Sequence, residues 1–112
     1  MSAFTLARRA ATLGALVLLA LGVARAAPAG GAVSIDNFTF NPAPVTVAAG
    51  TTVTWTNQDD VPHAIVADDK SFRSKVIDTD QSFSFTFAKP GAYSYFCSIH
   101  PHMTGKVVVK AL

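Results

Sequence analysis

Apolar and polar residues alternate along most of the chain beyond residue 32. Val33 and Ile35, Phe38 and Phe40, Val45 and Val47, Val53 and Trp55, Phe83, Phe85 and Phe87, and Val107 and Val109 recur at every second position. That period buries one face of a β-strand and wets the other. Tyr93 to Cys97 reads as a further strand, and Gly105 to Lys110 as the last. Turn-forming residues separate the runs at Asn41-Pro42, Ala49-Gly50, Asn57-Gln58-Asp59-Asp60, Lys89-Pro90-Gly91 and Thr104-Gly105. No stretch after residue 26 has helical periodicity, and no internal repeat is visible. Short strands at this spacing predict an all-β sandwich or barrel. The least regular part, Val66 to Gln81, is charged and only briefly apolar. It is expected to run over one edge as a surface excursion with at most a short strand, its charges keeping that face solvated.

The first residues follow another rule. Arg8 and Arg9 precede an apolar stretch from Ala10 to about Val23, and Ala24-Arg25-Ala26 is a small-x-small cleavage site. The apolar run is too short for a transmembrane helix, which needs about twenty such residues. Residues 1–26 therefore read as a secretory signal peptide, 27–32 as a linker and 33–112 as the single domain, with no membrane anchor once the signal is removed. Loss of Arg8, Arg9 and Arg25 from nine cations leaves six against seven acids, a formal charge of −1. The basic balance of the full chain thus says little about partners. No Lys/Arg run alternates with aromatics, so nucleic-acid binding has no support.

Export sharpens the meaning of the lone cysteine. A small exported domain usually carries its cysteines in pairs, as disulfides, whereas Cys97 stands alone. It is an inert core thiol, half of an intermolecular disulfide, or a metal thiolate.

Its neighbours bear on that choice. Cys97 ends a strand, and Ser98 to Met103 form the loop into the last one. A tight loop containing Pro101 brings Cys97, His100 and Met103, spaced C-x-x-H-x-x-M, to one point. His63, in Pro62-His63 after the Trp55 strand, supplies a fourth donor. Soft sulfur ligands select copper over hard cations, and two histidines with a cysteine and a weak axial methionine are the blue-copper electron-transfer arrangement. Zinc is the rival, but its structural sites close with four Cys, His or carboxylate donors, and a thioether suits it poorly.

Gly50 to Asn57 (GTTVTWTN), Pro62-His63 and Tyr95 to Met103 (YFCSIHPHM) resemble the small cupredoxins, the group of the amicyanins and plastocyanins. The resemblance covers about residues 33 to 110. It implies a Greek-key β-sandwich of about eight strands holding one type 1 copper ion through His63, Cys97, His100 and Met103. It also implies single-electron transport in the periplasm or thylakoid lumen. The gap between His100 and Met103 is similar to the short loop of the amicyanins. Two positions depart from the pattern. Ala64 replaces the asparagine whose side chain ties the two ligand loops together, so a looser site is expected. His102 replaces an apolar aromatic and is expected to be exposed.

A metal with four fixed ligands has no position open to a substrate, and a copper enzyme would need further histidines where only His102 is left. The chain is therefore expected to be no enzyme but a periplasmic, monomeric copper protein. It would shuttle electrons between a redox donor and acceptor that dock briefly near His100, amid Ile99, Pro101, Pro62 and Val61. The alternative is a periplasmic copper carrier or storage protein.

Overall fold

The computed structural model describes residues 30–112. The predicted signal peptide and the start of the linker lie outside the described residues. Eight strands follow one another: β1 (Gly31–Asp36), β2 (Thr39–Asn41), β3 (Val45–Ala48), β4 (Thr51–Asn57), β5 (Ile65–Ala67), β6 (Ser82–Phe87), β7 (Gly91–Cys97) and β8 (Thr104–Lys110). They form two four-stranded sheets, ordered β2-β1-β4-β6 and β3-β8-β7-β5. Each sheet is mixed: β1 runs parallel to β4 and β3 parallel to β8, while the other neighbours are antiparallel. No helix occurs among the described residues, as the periodicity predicts.

The alternation works most simply in β4, where Val53 and Trp55 point inward and are fully buried. Trp55 is the hub of the core, with Phe72, Phe83, Phe87 and Tyr95 packed around it at ring-centroid distances of 5.5–6.4 Å. Burial of the Tyr95 hydroxyl pushes its pKa up to about 12, so the ring acts as a neutral core group. On the opposite, wetted face of β4, three hydroxyl pairs reach across to β6: Thr52 with Thr86, Thr54 with Ser84 and Thr56 with Ser82, at 2.7, 2.7 and 2.9 Å.

Three expectations need correction. Gly31 and Ala32, read as linker, already belong to β1 and pair with Val53 and Thr54. A Cβ on Gly31 would lie 2.9 Å from the Val47 side chain, so only glycine lets the two sheets approach there. Phe38 does not share a buried face with Phe40. Asn37 and Phe38 form a two-residue hairpin turn with φ of 52° and 57°, the positive values that match the twist of a tight hairpin. Phe38 is left 45% exposed while Phe40 is buried. Such a conformation costs a bulky L-residue on the order of 1 kcal/mol. Finally, the stretch from 66 to 81 is more than a surface excursion. β5 ends within it, at Ala67, and Phe72 and Ile77 are buried in the core. Its backbone also bridges His63 through Ile77 and Val66 through Arg73, giving that stretch hydrogen-bond partners that the sheet does not supply.

Candidate metal centre

The site is built where β4 and β7 end on the same side of the sandwich. At the end of β4 the fully buried Asn57 organises the segment that follows. Its amide nitrogen donates to the carbonyls of Val61 (2.9 Å) and Ile77 (2.8 Å), and its side-chain oxygen accepts the Asp59 N–H (2.8 Å). An asparagine that accepts from two residues on sets a turn, and this one presents Asp59 and then His63. The His63 backbone is bonded to Ile77 in both directions, at 3.1 and 2.7 Å. Its side chain is completely buried.

The Asp59 carboxylate receives three hydrogen bonds: from the N–H groups of Asn37 (2.5 Å) and Phe38 (2.9 Å) and from Nε2 of His63 (2.8 Å). Burial by itself would raise its pKa. The bonds from the Phe38 N–H, the His63 ring and the Asn37 N–H outweigh that effect and hold the carboxyl below its ordinary value. An ionised carboxylate can only accept, so Nε2 of His63 must carry the ring proton. In the neutral ring the lone pair then sits on Nδ1, which faces Cys97.

Cys97 ends β7 opposite Ile65 of β5 and has no exposure to solvent. The loop beyond it closes on itself: His100 N–H reaches the Cys97 carbonyl (3.2 Å), Met103 N–H the His100 carbonyl (2.9 Å), and Cys97 N–H the Met103 carbonyl (3.0 Å). This folding turns the His100 ring toward the sulfur and leaves it partly exposed. Cys97 Sγ lies 3.6 Å from His63 Nδ1 and 3.7 Å from His100 Nδ1, and the three ligand atoms fall within 4.8 Å of one another. Two ring nitrogens directed at one sulfur make a three-donor cluster that could hold a metal ion. The separations suit one ion bound by all three atoms at roughly 2.0–2.3 Å.

Of the four residues expected from the sequence, the structure brings His63, Cys97 and His100 together. Met103 is buried at the end of the same loop, tied through its backbone to Cys97 and His100. Soft sulfur beside two imidazoles fits copper. The loosening expected from Ala64 has a counterweight in the backbone, because Ser98 N–H donates to the Ala64 carbonyl at 2.8 Å and joins the two ligand loops. His102 is exposed, as expected.

Sequence reasoning missed two residues. Asp59 was visible as a carboxylate four positions before the histidine, but only as part of a turn. Phe38 stands edge-on to both ligand rings, 5.6 Å from His63 and 5.0 Å from His100. The polar pair Asp36-Asn37 before it was the available signal for a turn.

The sequence matches the cupredoxin-like domain family over residues 9–109. It is 36% identical to amicyanin-alpha of Methylorubrum extorquens over 119 aligned positions, covering 98% of this chain and all of that protein. It is also 36% identical to the amicyanin of Paracoccus versutus, over 70% of this chain and 63% of that protein's length. Among solved structures, the purple cupredoxin of Nitrosopumilus maritimus superimposes with a TM-score of 0.70 at 34% identity, over 71% of this chain and 99% of the other. With this sandwich and with a cysteine and two histidines meeting at one end of it, the chain belongs to the cupredoxin-like family.

Proposed function

We propose that the protein is a type 1 copper electron carrier, exported to the periplasm, that passes single electrons between a donor and an acceptor. The observation that carries this reading is the fully buried Cys97 sulfur with two ring nitrogens directed at it, 3.6 and 3.7 Å away. His63, Cys97 and His100 would hold the ion, with the Met103 thioether as a further, weak donor. Bound copper would supply a one-electron couple between Cu(I) and Cu(II).

The rest of the site serves that use. Burial of Cys97, His63 and Met103 keeps water from the sulfur and from one imidazole. Asp59, set in place by Asn57, is hydrogen-bonded to the His63 ring and would hold its orientation. His100, partly exposed, offers its ring edge as the route to a partner. The half-exposed Ile99 and Phe38 and the exposed Pro101 and Pro62 surround it with apolar surface, which suits the small, brief interfaces of redox encounters.

Copper titration of the purified protein tests the reading. One ion per chain is expected, with an intense visible absorption from the copper–thiolate bond and a reversible one-electron wave in voltammetry. Cys97→Ser abolishes the absorption; a variant that keeps it overturns the site. A copper carrier would instead surrender its ion to a chelator faster than it exchanges electrons with a small reductant. Stopped-flow measurement of both rates decides between the two uses. Fractionation of cells expressing the full chain checks export.

A further inference from the structure

Phe38 is expensive in two ways. A large aromatic ring is left 45% exposed, and its backbone sits at φ 57° next to Asn37 at 52°, a region that bulky residues avoid. Burial does not explain the placement, and neither does local preference. What the ring does is touch, edge-on, both imidazoles at the metal centre, 5.6 Å from His63 and 5.0 Å from His100 by centroid.

The turn that carries it is held from the other side by Asp59. One carboxylate accepts the N–H groups of Asn37 and Phe38 and the Nε2–H of His63. Asp59 is in turn fixed by its own N–H on Asn57 and by the Thr79 hydroxyl on its carbonyl, at 2.6 Å. The β1–β2 turn, the buried ligand ring and the exposed ligand ring are thereby linked through one side chain.

We propose that Asp59 and Phe38 act as one positioning unit for the two histidines. Asp59 sets the tautomer and orientation of His63 directly. It also locks the turn that lays Phe38 against His100, and Phe38 stops the exposed ring from swinging out of the site. Neither residue touches the metal position. Phe38 supports the one ligand that the 98–103 loop leaves open to solvent; among the described residues, no side chain of that loop is hydrogen-bonded to the His100 ring, whose one side-chain partner is Cys97 at the end of β7.

The inference rests on the copper reading only for its release assay; the ring signals of the metal-free protein test it separately. In long-range nitrogen–proton NMR of the metal-free chain, His63 is expected as the Nε2–H tautomer. Asp59→Ala should remove that signature and broaden the Asn37 and Phe38 amides. Phe38→Ala should leave the His63 tautomer unchanged and alter the His100 ring signals. In the copper-loaded protein, both substitutions should speed copper release to a chelator, by about tenfold or more, since outer partners of metal ligands are worth 10–100-fold in affinity. Phe38→Tyr, which keeps the ring edge, should release at the parent rate. The double variant Asp59→Ala/Phe38→Ala should release no faster than Asp59→Ala alone, because Phe38 acts through the turn that Asp59 holds. If the Asp59→Ala chain does not fold, Asp59→Asn replaces it, since one amide oxygen cannot accept all three bonds. The proposal is overturned if Phe38→Ala leaves the His100 signals and the release rate unchanged, or if the effects of the two substitutions multiply. A protein that binds no copper would remove the proposed function, while the tautomer and ring signals would still decide the positioning unit.

Discussion

Two short segments supply the imidazoles, and they are built differently. From Asn57 to Ile65 every buried polar side chain is hydrogen-bonded: Asn57 makes three hydrogen bonds, Asp59 accepts three, one of them from the His63 ring, and the His63 backbone is bonded twice to Ile77. From Ser98 to Met103 the loop has a few backbone bonds of its own and one to Ala64, and its histidine reaches the surface. One histidine is part of the frame and the other is mounted on it. A ligand that must keep its place while charge comes and goes belongs in the first segment. A ligand that must meet a partner belongs in the second.

The contrast is broken most severely by deleting each ring. His63→Gly and His100→Gly should both lose the copper–thiolate absorption. Added imidazole should restore it in His100→Gly, where the gap opens to solvent, and not in His63→Gly, where the ring is wholly buried. Restoration in both, followed by absorption titration, would erase the distinction.

Next in size is Asn57→Ala, which strands the Val61 carbonyl and the Asp59 N–H and removes one of the two hydrogen bonds to the Ile77 carbonyl. At the usual cost of orphaned buried groups the loss is about 3 kcal/mol, read as a lower urea midpoint of the metal-free protein. His100→Ala measured in the same way should move stability by less than about 0.5 kcal/mol.

Acid sharpens the same difference. The Asp59 carboxyl lies below its ordinary value of 3.8 in the folded chain, so the stability it adds is fully present above the unfolded value. That stability is lost as pH falls through the depressed folded value. Urea midpoints should therefore fall with pH below about 4 in the parent, and fall less in Asp59→Asn. Equal slopes would mean that the carboxylate contributes nothing to the frame. Smallest of all, Ala64→Asn should leave copper release unchanged, since the bond from Ser98 N–H to the Ala64 carbonyl already joins the loops. A slower release would show that this bond is insufficient.

How much of this could be read from the chain depended on range. Trp55 and Val53 were legible because alternation is local, and Cys97 and His100 because three positions on one loop bring them together. His63 was legible from its chemistry and its place after the Trp55 strand. Asp59 was legible as a turn residue but not as a hinge between turn and ligand, because that role depends on partners 21 and 22 positions away, Phe38 and Asn37. Phe38 was assigned to the wrong side because a period of two does not register a turn of two residues with positive φ. Phe72 and Ile77 stand five apart amid charged residues, a spacing that matches neither strand nor helix, so their burial in the core left no periodic trace.

The three hydroxyl pairs between β4 and β6 bear on the conditions under which the frame holds. They contain no charge, so the ions that screen surface salt bridges have nothing there to screen. Added salt would then alter how the protein meets other charged molecules and leave this wall of the sandwich as it was.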